Sequence, residues 1–224
     1  MKIIITKNYD EMSKEAAKIV IDTVKENNNA VLGLATGSTP IGTYREMIKA
    51  HEEGLDFSNV KSFNLDEYVG LSADNDQSYR YFMNDNLFSH ININMANTHF
   101  PDAGINGEKD PSDYDEEIKS AGGVDIQILG IGQNGHIAFN EPAESIIFQT
   151  HVTSLTESTI KANARFFEKI EDVPTTAVTQ GIGTIHMAKK IIILANGKTK
   201  HEAVKQLIEG KILSLNCPAT MLFF

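Results

Sequence analysis

Short runs of β-branched and aliphatic residues recur along this chain with amphipathic stretches between them, and that alternation limits the possible folds more than any other feature. The runs at 2–5, 30–35, 60–65, 125–131 and 191–195 read as buried strands. Between the first two, Met12, Ala16, Ile19, Val20 and Val24 recur at helical spacing within 11–25, and 43–53, 78–91, 112–120 and 200–209 are further helix candidates. Strands that alternate with helices pair in parallel, so the pattern predicts an α/β fold with a mainly parallel sheet and helices on both faces. The polar stretch 102–113, with Gly104, Gly107 and Pro111, reads as a loop, because the same patterning resumes on either side of it. A single domain over 1–224 is expected.

Twenty Lys and Arg against thirty Asp and Glu give a net charge of −10, which opposes attraction to phosphate backbones and anionic bilayers. No nucleic-acid partner and no membrane partner is therefore expected. Cys217 is the one cysteine, so no intrachain disulfide framework and no cysteine metal cluster can form; a reducing cytoplasm suits such a chain. The amino-terminal apolar run, Ile3, Ile4 and Ile5, falls short of the roughly 7 to 15 residues of a signal-peptide core. No stretch reaches the roughly 18 to 20 apolar residues that span a bilayer.

Ligands of open α/β sheets bind beyond the carboxyl ends of the strands, which directs attention to four polar segments at 36–40, 66–68, 132–136 and 196–200. In the first, Gly37 permits close backbone approach, Ser38 and Thr39 offer hydroxyls and capping, and Pro40 can begin a helix. That is the composition of an anion nest, and equally of an ordinary capped turn; it is not a P-loop, because GxxxxGK[ST] is absent. Arg165 and Lys200 are basic residues able to complete a phosphate cradle or to lie solvated on the surface. Asp66 follows a strand, where a desolvated carboxylate can serve as a general base or simply cap a turn. Glu67 and Tyr68 are equally ambiguous. Gly130, Gly132 and Gly135 spell GxGxxG, yet the sequence that follows, through Pro142, has poor helical character, so a dinucleotide turn is rejected. In the same turn His136, with Glu141 and Asn134 near it, can form an oriented acid/base group or a structural histidine. HExxH and GxSxG patterns are absent.

Taken together, the segments at 34–40, 63–71, 135–142 and 162–167 closely resemble the glucosamine-6-phosphate deaminase family, in order and in spacing, across nearly the whole chain. The resemblance implies a modified Rossmann-like fold and conversion of glucosamine 6-phosphate and water to fructose 6-phosphate and ammonia, with no cofactor and no metal. By match to the family's motifs, Asp66 would move a proton between C2 and C1 and His136 would assist ring opening. Glu141 and Asn134 would orient that histidine; some members carry Asp at the position of Asn134. Thr36, Gly37, Ser38, Thr39, Arg165 and Lys200 would hold the phosphate, and 151–174 would form a mobile lid. His151 and Thr153 stand where allosteric members carry basic residues, so activation by N-acetylglucosamine 6-phosphate is not expected. The family pattern continues through another strand after the stretch matching Pro218 and Ala219, where this chain has only the apolar 221–224. A monomer or small homo-oligomer is expected. The related 6-phosphogluconolactonases and noncatalytic sugar-phosphate sensors are the alternatives; the segment around Asp66 and the continuation from Phe139 to Pro142 favour the deaminase.

Overall fold

A computed structural model describes residues 1–104, 108–157, 160, 169, 173–210 and 212–223. Its strands are β1 (Val31–Leu34), β2 (Lys61–Asn64), β3 (Asp66–Tyr68), β4 (Thr98–His99), β5 (Ile126–Gly130), β6 (His151–Ser154), β7 (Thr176–Thr179) and β8 (Ile191–Leu194). The helices described are α1 (Tyr9–Glu26), α2 (Ile41–Glu52), α3 (Tyr79–Asn86), α4 (Asp113–Ser120), α5 (Ile182–His186) and α6 (His201–Glu209). Five strands pair in parallel in the order β4-β2-β1-β5-β8, with Val31 opposite Lys61 and Gln127 opposite Ile191.

Side-chain alternation along these strands feeds apolar clusters on both faces of the sheet. Leu32, Leu34, Ile126 and Ile128 face Val20 and Val24 of α1 and Tyr44 and Met47 of α2. Val31 and Phe63 point the other way, to Tyr114 and Ile118 of α4, while Leu129 and Ile131 join Ile182, Ile185, Ala203 and Leu207 of α5 and α6. Helices thus cover both faces of a mainly parallel sheet, as the alternation predicts. Each fully buried aliphatic side chain stabilises this arrangement by about 1.5–3 kcal/mol. Asn8 starts α1 by accepting from the Glu11 N–H at 2.8 Å, and the Glu11 carboxylate accepts from the Lys7 N–H at 2.9 Å.

The structure corrects several boundaries. Residues 2–5 form no strand, and Ile3, Ile4 and Ile5 are exposed, because no described strand runs beside them to complete a ladder. Beyond the parallel sheet lies a second, antiparallel one in the order β3-β7-β6. Its strands are three or four residues long and of mixed polarity, so no continuous apolar run marks them in the sequence. The start of the expected lid, His151–Ser154, is therefore a paired strand; much of the remainder of 151–174 lies outside the described residues. The predicted helix at 78–91 ends at Asn86 and gives way to a 3-10 turn over Phe88–His90. The apolar chain end packs as a 3-10 segment, Pro218–Phe223, with Ala219 and Met221 buried beside Cys217. Among the described residues, no helix is long and apolar enough to cross a membrane.

Candidate active site

A cavity of about 460 Å³ opens where the chain leaves β1, β2 and β5. Ala35, Thr36, Gly37, Ser38 and Thr39 line it after β1, Leu65 and Asp66 after β2, and Gly130, Ile131, Gly132 and His136 from the end of β5. These are the carboxyl ends of parallel neighbours, the edge at which α/β sheets bind ligands. Asp66 and His136, 70 residues apart in sequence, therefore share one cavity.

The antiparallel sheet brings these two walls together. Asp66 pairs with Thr179 across β3 and β7, and the Thr179 hydroxyl accepts from the Phe139 N–H at 3.2 Å. Gln180 donates its side-chain amide to the Asn64 carbonyl at 3.1 Å and its backbone N–H to Leu65 at 2.8 Å. The Asn140 amide donates to the carbonyls of Ile137 and Gln180, at 3.0 and 2.8 Å. The end of β7 thus holds the Asp66 strand and the turn carrying His136 in one hydrogen-bonded frame.

Asp66 is 7% exposed, and its carboxyl range is pushed up to about 8, first by burial and then by the negative charge of Glu67. His136 sits in a different setting. Its ring Nδ1 lies 3.2 Å from Glu141 Oε2, and the same oxygen accepts from the Asn134 amide at 2.7 Å. The His136 N–H donates to Asn134 Oδ1 at 3.2 Å, which closes the triangle. A carboxylate can only accept, so this contact places a proton on Nδ1 and leaves Nε2 to accept one. A side chain on Gly132 would meet the imidazole at 2.4 Å, so only glycine leaves room for the ring. Gly135 has φ +82°, and a side chain there would meet the Cys217 thiol at 2.3 Å. Ala138 holds φ +53°, a left-handed conformation that costs about 1–2 kcal/mol in a non-glycine residue and marks a turn held in place by its surroundings.

Thr36, Gly37, Ser38 and Thr39 lead into α2, whose N-cap is Pro40, without a side-chain capping bond. This differs from the expectation that Ser38 or Thr39 caps the helix and Pro40 begins it. The Tyr9 hydroxyl donates to the Ser38 carbonyl at 3.0 Å and accepts from the Gly42 N–H at 2.8 Å, and the Tyr44 hydroxyl bonds both backbone groups of Ala35. Sequence reasoning missed these two anchors, because a tyrosine hydroxyl's partner lies on another element. It also missed the aromatic wall. Tyr68, Tyr79 and Phe139 all line the cavity, with ring centroids 4.7 Å apart for Tyr68 and Tyr79 and 6.2 Å for Tyr79 and Phe139.

Lys200 lies in the 3-10 turn Lys198–Lys200 after β8, neighbour of β5, but does not line the cavity; partial burial lowers its ammonium range. Asn134 and Glu141 likewise act behind His136 and not at the cavity surface. Arg165 lies outside the described residues. Among the described residues, no group of three or more His, Cys, Asp or Glu side chains is gathered in a way that could hold a metal ion. As the absence of a following helix predicts, residues 131–140 form a turn, not the helix of a dinucleotide site.

Comparison with known proteins bears on the family and the fold. Residues 6–223 match the family described as glucosamine-6-phosphate isomerases/6-phosphogluconolactonase. A glucosamine-6-phosphate deaminase of Clostridium perfringens (strain 13 / Type A) is 57% identical over 99% of this chain and 92% of its own length. Another from Thermoanaerobacter sp. (strain X514) is also 57% identical, over 99% of this chain and 88% of its own length. The solved structure of a monomeric glucosamine-6-phosphate deaminase superposes with a TM-score of 0.92 at 47% identity, covering 100% of this chain and 93% of that one. A 6-phosphogluconolactonase from Thermotoga maritima, at 21% identity and TM-score 0.71, covers 98% of this chain and 92% of its own, and shares the fold. The chain belongs to the glucosamine-6-phosphate isomerase/6-phosphogluconolactonase family.

Proposed function

We propose that this chain is a glucosamine-6-phosphate deaminase, converting glucosamine 6-phosphate and water to fructose 6-phosphate and ammonia. One observation carries the reading: a buried carboxyl, Asp66, and an imidazole backed by a carboxylate, His136 with Glu141, open onto one cavity that also holds the 36–39 loop. Relatives of that name at 57% identity support it.

In this reading His136 Nε2 takes the proton of the C1 hydroxyl as the pyranose ring opens, and relays it to the ring oxygen. Asp66 then takes the proton from C2 and returns it to C1, through an enolamine. The resulting C2 imine adds water and expels ammonia, leaving the ketose. Every step moves a proton or adds water, and the substrate as a whole is neither oxidised nor reduced, so positioned acids and bases are the groups the chemistry demands. The ammonium of the incoming amino sugar favours the ionised form of Asp66, which burial alone opposes. The phosphate is the remote handle: the 36–39 loop at the start of α2 offers backbone N–H groups and hydroxyls, with Lys200 and Arg165 adding positive charge.

The reading extends to a cytoplasmic monomer, supported by the lone buried Cys217 and by the neighbour described as monomeric. Ammonia release from glucosamine 6-phosphate, measured beside hydrolysis of 6-phosphogluconolactone, is the test. Ammonia and fructose 6-phosphate in equal amounts are expected; lactone turnover without ammonia overturns the proposal.

A further inference from the structure

Glu67 follows Asp66 directly but turns away from it, into the backbone of the next helix. Its Oε1 accepts from the Tyr68 N–H and the Tyr79 N–H, both at 2.9 Å, and its Oε2 accepts from the Arg80 N–H at 2.8 Å. Tyr79 and Arg80 are the first residues of α3, so one carboxylate closes the 69–78 loop by joining its two ends. That loop and the first turn of α3 supply Asp76, Gln77, Ser78, Tyr79 and Phe82 to the cavity wall. Three N–H donors on one side chain call for a group that accepts only, which a carboxylate is and an amide is not.

We propose that Glu67 is a positioning residue for the reaction proposed above: its carboxylate clasps the start of α3 to β3, holding the wall that carries Ser78 and Tyr79, and keeps a negative charge beside the Asp66 carboxyl. The inference rests on the deaminase reading for its kinetic consequence and on geometry alone for the clasp. The titratable groups around Asp66 are Glu67 and Tyr68 of β3, Tyr79 of α3, Tyr114 of α4, and Asp76 and His136 of the cavity wall. Burial keeps the Tyr79 and Tyr114 phenols well above their ordinary range, so both stay neutral while Asp66 titrates. Glu67 is itself held above its ordinary range, first by burial, and its three N–H donors and the Arg80 guanidinium offset part of that rise. Among these neighbours, Glu67 is the one whose charge raises Asp66.

Carboxyl ¹³C titration of the wild-type chain and of Glu67→Gln, which keeps one acceptor oxygen and loses the charge, tests the electrostatic half. The Asp66 midpoint should fall by about one pH unit in the variant. The acid limb of kcat/KM for ammonia release should fall with it. A folded variant with an unmoved Asp66 midpoint overturns the proposal. Should the variant not fold, the wild-type chain decides: Glu67 must be ionised across the pH range in which Asp66 titrates, and a Glu67 carboxyl still protonated through that range overturns it. Hydrogen exchange tests the clasp, with Tyr79 and Arg80 amides expected to exchange at least about tenfold faster in Glu67→Ala; unchanged rates overturn it. The titration and exchange arms need no turnover, so a chain that releases no ammonia would sink the deaminase reading and leave the clasp to be judged separately.

Discussion

The two walls of the cavity treat their ionisable groups in opposite ways. On the β3 side Asp66 is buried, and loss of water together with the Glu67 charge pushes it up to about 8. On the β5 side His136 is partly exposed and hydrogen-bonded by Glu141 and Asn134, which fix its tautomer and direction. One group is tuned by its medium and the other by its partners. The difference suits two distinct tasks: a base that must take a proton from carbon gains from a raised proton affinity, whereas a relay at a hydroxyl gains from orientation.

Several substitutions break or sharpen this contrast. The largest effect is expected on the buried side, where Asp66→Asn keeps the shape and removes the base: kcat should fall by about 10²- to 10⁴-fold in steady-state ammonia assays. On the other wall Glu141→Gln removes only the orienting charge, and a loss of about 10- to 100-fold is expected, against the larger loss at Asp66. Equal losses would mean that the two walls are not tuned differently.

Gly132→Ala tests orientation without replacing any ionisable group. Its side chain would meet the imidazole at 2.4 Å, so His136 must leave its seat. Activity should fall about tenfold with the fold retained by circular dichroism, in line with the steep cost of a misplaced group.

Stability should carry the mark of the buried side alone. Asp66 titrates near 8 in the folded chain against an ordinary value of 3.8, so the folded state binds the extra proton between those limits. Stability from this group is therefore full below pH ~4 and is lost as pH rises toward ~8. Asp66→Asn removes that loss, and its melting temperature should exceed wild type by at least about 2–4 °C at pH 8, with the gap closing at pH 4. A gap independent of pH would contradict the burial argument. The smallest effect is expected for Lys200→Ala, which stands off the cavity: KM should rise by no more than about fivefold, without loss of stability.

Much of this was legible in the residues, for reasons that differ by region. The apolar periodicity of 11–25 and the runs at 30–35 and 125–131 mark α1, β1 and β5, because strands buried on both faces leave a mostly apolar signature. Asp66 and His136 could be singled out because each follows such a run. The run at 2–5 carries the same signature and forms no strand, since composition cannot supply a pairing partner. The sheet β3-β7-β6 was hidden because its strands are short and polar, yet it is what joins the two walls. Glu67 is ambiguous in the sequence: its partners, the N–H groups of Tyr79 and Arg80, are 12 and 13 residues away and carry no side-chain signal.

A single ligand held between the two walls is tested most directly by a crystal structure of Asp66→Asn with glucosamine 6-phosphate bound. The phosphate is predicted to lie against Thr36, Gly37, Ser38 and Thr39, with C1 and C2 between residue 66 and His136. A sugar seated outside the cavity, or bound with its phosphate turned toward residue 66, would contradict it.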